Sequence, residues 1–134
     1  MGLRGNILSL GSVVVIAACS AQRQSVAPKI CTAVGIPAIE LTVRDAVTGA
    51  GVARAAEVVA QQWSISGVLV GVDTGYAVDS STMSIGEMPG VYDLSLTNPG
   101  YVPWARKGVM APAADPQGCH PVTQLLEADL QPSS

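Results

Sequence analysis

Pro89-Gly90-Val91-Tyr92-Asp93-Leu94-Ser95-Leu96-Thr97-Asn98-Pro99-Gly100 carries the clearest strand in the sequence. Tyr92, Leu94 and Leu96 alternate with Asp93, Ser95 and Thr97, the period of two that puts one face of a strand in a core and the other in water. Pro-Gly before the run and Asn-Pro-Gly after it supply residues that favour turns over continued extension. Upstream, Ile39, Leu41 and Val43 alternate in the same way with Glu40, Thr42 and Arg44, and Asp45-Ala46-Val47-Thr48-Gly49 comes next with turn chemistry. Downstream, Tyr101 to Met110 predicts a strand with Val102, Trp104 and Val109 as its apolar positions. The segment after Cys119 predicts a last one, with Val122, Leu126, Ala128 and Leu130 inward.

Two segments are harder to read. Val52, Ala55, Ala56, Val59 and Trp63 fall at helical spacing in a stretch rich in Ala, Glu and Gln, residues that favour helix. A strand phase competes, with Ala56, Val58 and Ala60 on one face. Between Ser64 and Glu87, Ile65, Val68, Leu69, Val70 and Val72 predict one strand, and Tyr76-Ala77-Val78 and Met83-Ser84-Ile85 predict parts of another.

Composition narrows the class of protein. The chain has 134 residues, 49% hydrophobic and 13% charged, a balance that buries a core rather than staying disordered. With two Trp, three Tyr and no Phe, that core must be aliphatic. A formal charge of −3, with 7 basic against 10 acidic residues, argues against a nucleic-acid partner, whose binding draws on clustered Lys and Arg.

The first eighteen residues read as an export signal. Arg4 precedes an apolar run ending Val13-Val14-Val15-Ile16-Ala17-Ala18, and polar Ser20 to Ser25 comes directly after Cys19. The run is shorter than the roughly 20 apolar residues that span a bilayer. Ile16-Ala17-Ala18-Cys19 resembles the bacterial lipoprotein box, in which small residues precede a Cys that is acylated and becomes the new N-terminus. That resemblance implies lipid on Cys19, membrane attachment, a cell-envelope location and, with Ser20 rather than Asp next, the outer membrane. Ordinary cleavage after Ala21 is the alternative. Residues 19–30 then read as a tether, and residues 31–134 as one domain.

With Cys19 assigned to lipid, Cys31 and Cys119 remain as a pair. Export places them in an oxidising compartment where disulfides persist. A metal site from Cys31, Cys119 and His120 is the alternative, short of a fourth ligand and of the usual spacing.

The order Glu40-Leu41-Thr42-Val43-Arg44-Asp45, Thr48-Gly49, a small-residue strand, Pro89 to Leu96, then Gly100-Tyr101 resembles the carboxypeptidase regulatory-like domains of the transthyretin-like superfamily. The likeness covers roughly residues 31 to 131. It implies an all-β, Greek-key β-sandwich of about seven strands, favours the strand phase for the Ala56 segment, and has Asp45 and Thr48-Gly49 closing a first hairpin. Where relatives commonly carry Pro after that turn, this chain has Ala50-Gly51, which predicts a looser turn.

No catalytic set can be assembled from the sequence. The only His is His120, beside Cys119, so neither Ser nor Cys has a base to activate it. Asp73, Asp79, Glu87 and Asp93 could form a carboxylate pair, and Asp73-Thr74-Gly75 lacks the spaced acids of a calcium loop; solvated faces explain these acids. No cofactor or metal is expected. Trp63, Tyr76 and Trp104 are the candidates for a binding surface, because aromatic rings stack on sugars and anchor protein contacts. Core filling is the alternative for each, least so for Trp104, next to Arg106-Lys107. The function expected is a lipid-anchored, non-enzymatic envelope module with a protein or glycan partner. A carbohydrate-binding module, or an accessory domain of an envelope enzyme or transport system, is the alternative.

Overall fold

The computed structural model describes Cys31 and residues 35–134. The export signal, Cys19 and the tether over residues 19–30 lie outside the described residues. The chain forms β1 (Ile39–Asp45), a 3-10 turn (Ala53–Ala55), β2 (Glu57–Trp63), β3 (Leu69–Thr74), β4 (Tyr76–Ala77), β5 (Thr82–Ile85), β6 (Gly90–Thr97), β7 (Trp104–Ala111) and β8 (Gln124–Leu130). These make two four-stranded sheets, ordered β4-β5-β1-β8 and β3-β2-β6-β7, and their apolar faces share one core. The protein is therefore an all-β sandwich, with eight strands among the described residues where about seven were expected.

The core follows from alternation. In the first sheet Ile39, Leu41, Val43, Met83, Ile85, Ala128 and Leu130 turn inward; in the second, Val58, Ala60, Tyr92, Leu94 and Leu96 do. In β1 and β6 the polar residues lie on the opposite face, so a shift of one residue in register would exchange the two sets. Successive hairpins alternate between the sheets: β2-β3 and β6-β7 lie in one, β4-β5 in the other. The first and last strands close the topology as a parallel pair, from Ile39 opposite Gln124 to Asp45 opposite Leu130.

The segment of mixed signals resolves as one 3-10 turn leading into a strand. Its helical spacing is realised only over Ala53–Ala55, and from Glu57 the buried positions are Val58, Ala60 and Gln62. Here tertiary burial outweighs helix propensity. Ile65 and Val68 lie in the β2-β3 turn rather than in a strand, and Val102 and Val122 are exposed ahead of β7 and β8 instead of packing inward. Tyr76–Ala77 and Thr82–Ile85 are two paired strands rather than parts of one.

The turn after β1 is closed as expected, but it does not close a hairpin. Asp45 Oδ1 accepts the amides of Val47 (2.7 Å) and Thr48 (2.9 Å), and Arg44 bridges Gly51. From there the chain crosses to the second sheet. Nor is the turn loose: a Cβ at Gly51 would stand 2.7 Å from both Ser80 O and Ser81 Cβ. Glycine there permits close packing of the β4-β5 turn against the β1 turn.

The sandwich has two distinct ends. The near end holds the start of β1, Trp63 opposite Val91, and the loop from β7 to β8. The far end holds the Asp45 turn, the 3-10 turn, and Trp104 opposite Leu96.

Candidate binding surfaces

Cys31 and Cys119 form a disulfide, with Cα atoms 5.3 Å apart and 88 residues between them in sequence. It fixes the segment before β1 to the β7-β8 loop at the near end. Asp115 organises that loop: its two oxygens accept the amides of Cys119 and His120, each at 3.0 Å. Its carboxyl is held below the usual carboxylate range, chiefly by the Cys119 amide. The sulfurs bond each other, and among the described residues no cluster of three or more His, Cys, Asp or Glu could hold a metal ion.

The three aromatic candidates do not share a surface. Trp104 packs inward against the core, the reverse of the expectation that it was the one most open to solvent. Trp63 lies half-buried on the outer face of its sheet, in register with exposed Glu57, Val59 and Gln61. Its indole N–H donates to Asp93 Oδ2 at 3.1 Å. Five residues of β6 separate their pairing positions, Val91 for Trp63 and Leu96 for Trp104, about 16 Å along a strand. Tyr76 belongs to the other sheet and is 63% exposed.

Asp93 is an organising group rather than a solvated one. Oδ1 accepts the Gly108 amide at 2.9 Å where β7 bulges against β6, the register slipping between Tyr92 and Leu94. Gly108 has φ +69°, a conformation that costs L side chains energy. One carboxylate thus fixes both the Trp63 ring and the bulge. Asp79 likewise accepts the amides of Ser81 (2.9 Å) and Thr82 (2.7 Å), which hold its carboxyl below the ordinary range.

The other two acids meet at a cavity. A space of about 350 Å³ opens at the side of the sandwich between β3 and β4, and Gln62, Asp73, Tyr76 and Glu87 are among the residues lining it. Register places Gln62 and Asp73 on the inner face of their sheet, opposite Gly71 and Ala60, so the aliphatic interior becomes polar here. Beside it, the Tyr92 hydroxyl donates to the Met88 carbonyl. Burial, with a smaller contribution from the charge of Asp73, pushes the Tyr92 phenol up to about 12.

Exposed apolar side chains also run along β3. β3 is an outer strand of its sheet, and Leu69, Val70 and Val72 are 48%, 61% and 59% exposed. Ile65 and Val68 continue this surface onto the β2-β3 turn. The run of Ile, Val and Leu signals a strand equally well when it is buried on both faces, and only the pairing distinguishes the two cases.

No protein-family model matches the chain, and no curated protein matches it in sequence. The fold and these surfaces define its class: a disulfide-tied, two-sheet β-sandwich whose outer strand β3 is apolar along most of its length. Among the described residues no helix is long and apolar enough to cross a membrane.

Proposed function

We propose that this chain is a lipid-anchored module of the bacterial cell envelope, related to the carboxypeptidase regulatory-like domains, that binds a protein partner without catalysing a reaction. The observation that carries this reading is β3. An outer strand presents unpaired N–H and C=O groups, which natural sheets normally protect with charge, Pro or a covering element. The one charge on β3, Asp73, lies on the inner face near the strand's end, residues 58–72 carry none, and the outward Val72 stands open to solvent. A partner segment added to this edge would gain main-chain hydrogen bonds, with the exposed Leu and Val side chains supplying selectivity. The Ile16-Ala17-Ala18-Cys19 motif supports lipid at Cys19, and the formed Cys31-Cys119 pair is what an oxidising compartment maintains.

A photocrosslinking residue at position 72, introduced in cells and activated in intact envelopes, should give one discrete protein adduct. The same residue at position 105, on the exposed opposite edge, should not. Equal adducts from both positions, or none from either, would remove the partner reading. A glycan reading keeps one support, the exposed Tyr76 ring at the mouth of the acid-lined cavity; oligosaccharide binding lost in Tyr76→Ala would favour it.

A further inference from the structure

The near end of the sandwich, which carries Glu87 and Asp115, differs from the far end in having fewer charges and in what enters it. The far end holds Arg44, Asp45, Arg54, Glu57, Asp79 and Asp129. From the near end projects the turn at residues 64–68, which carries no charge and exposes Ile65 and Val68 by 69% and 63%. Three of its five amides are paired within the turn: Ser64 N donates to Val68 O (2.7 Å) and Gly67 N to Ser64 O (2.9 Å), while Val68 N donates to Ser64 Oγ (3.0 Å). Each amide paired within the loop lowers the cost of leaving bulk water, and the groups left over can keep hydrogen bonds to water and headgroups in the interfacial layer. Trp63 stands at its base, an amphipathic ring of the kind enriched at membrane interfaces.

The disulfide sets the direction of attachment. It holds Cys31 at the near end, so the N-terminal segment reaches the folded domain there and not at the far end. Twelve residues from Cys19 to Cys31 span at most about 40 Å however they are arranged. β6, the length of the sandwich, is eight residues, or about 27 Å. A lipid at Cys19 therefore keeps the near end within reach of the bilayer.

We propose that the turn at residues 64–68 rests in the interfacial layer of the membrane that carries the chain's lipid, so that the domain stands with its near end down and its far end outward. This orientation rests on the lipid-anchored reading. Two tryptophans at opposite ends of one sheet are built-in depth probes. The mature protein, purified from membranes and checked for acylation by mass spectrometry, is reconstituted in phosphatidylethanolamine–phosphatidylglycerol vesicles containing lipids brominated near their headgroups. In Trp104→Phe, which leaves Trp63, emission should be lost to quenching; in Trp63→Phe, which leaves Trp104, it should persist. Ile65→Ser with Val68→Ser, both at exposed positions, should abolish the Trp63 quenching while circular dichroism stays unchanged. Acylated protein in which both tryptophans escape quenching, or are quenched alike, overturns the orientation and leaves the anchor standing. Protein without acyl chains overturns both.

Discussion

Asp93 shows how much one side chain can organise in a core short of aromatics. Its two oxygens hold a tryptophan on the outer face of the sheet and a glycine in a bulge on the neighbouring strand. Removing the carboxylate leaves the indole N–H and the Gly108 amide without their acceptor. Hydrogen bonds to a charged group contribute roughly 1.5–3 kcal/mol each net of exchange with water, and less where the group stays partly solvated. Asp93→Ala should therefore lower the free energy of urea unfolding by about 2 kcal/mol, and the Trp63 emission of the folded state, read in a Trp104→Phe background, should shift. Asp93→Asn, which keeps one carbonyl acceptor, should lose less. No loss in either variant would mean that the two bonds contribute nothing measurable. In the sequence, Asp93 is an outward polar residue of an alternating strand; its partners lie 30 and 15 residues away, beyond what local pattern reveals.

At the scale of elements, the turns share one device. Asp45, Asp79 and Asp115 each accept backbone amides from residues just downstream, and each carboxyl is held below its ordinary value mainly by those bonds, with the Thr48, Ser81 and Cys119 amides first among them. A group whose pKa is lower in the folded state binds protons more weakly there than in the unfolded chain. Its contribution is present above the unfolded value, near 3.8, and is lost as pH falls through the folded one. The urea midpoint should therefore stay flat from pH 7 to about 5 and drop below about pH 4. The triple variant with Asn at positions 45, 79 and 115 should show a shallower acid drop, and an identical one would locate the acid sensitivity elsewhere. The Asp45 turn was legible because Asp-x-x-Thr-Gly is local chemistry, and so were β1 and β6, each with one clean face. The Ala56 segment was not decided by its own residues, since small side chains fit either period and only burial of Val58 and Ala60 selects the strand. The exposure of β3 could not be read at all, because a continuous apolar run looks the same at the edge of a sheet as in its middle.

Over the whole molecule, the decisive contacts are the ones furthest apart in sequence. β1 and β8 pair in parallel at a separation of 85 residues, Ile39 with Gln124, and no periodicity in either strand announces which neighbour it takes. Two cysteines with one partner each did announce that the ends of the domain meet, although not that the tryptophans would stand at opposite ends of one sheet. The disulfide lies five residues before β8 and eight before β1, so it holds the start of that parallel pair together even in the unfolded chain. β8 is an outer strand whose neighbour in the sheet is β1, and closing such a long loop afresh on every folding event carries a large entropic cost. For 88 residues the chain-entropy estimate is about 4–5 kcal/mol, an upper figure wherever the unfolded chain keeps residual structure. Cys31→Ser with Cys119→Ser, which avoids a stray thiol, should therefore lose several kcal/mol in urea unfolding. Amide exchange should accelerate first along β8 and β1, before the β2-β6 pair. A loss below about 1 kcal/mol, or exchange that accelerates uniformly, would mean that the parallel pair holds its register without the crosslink, and that the core rather than the sulfur joins the two ends.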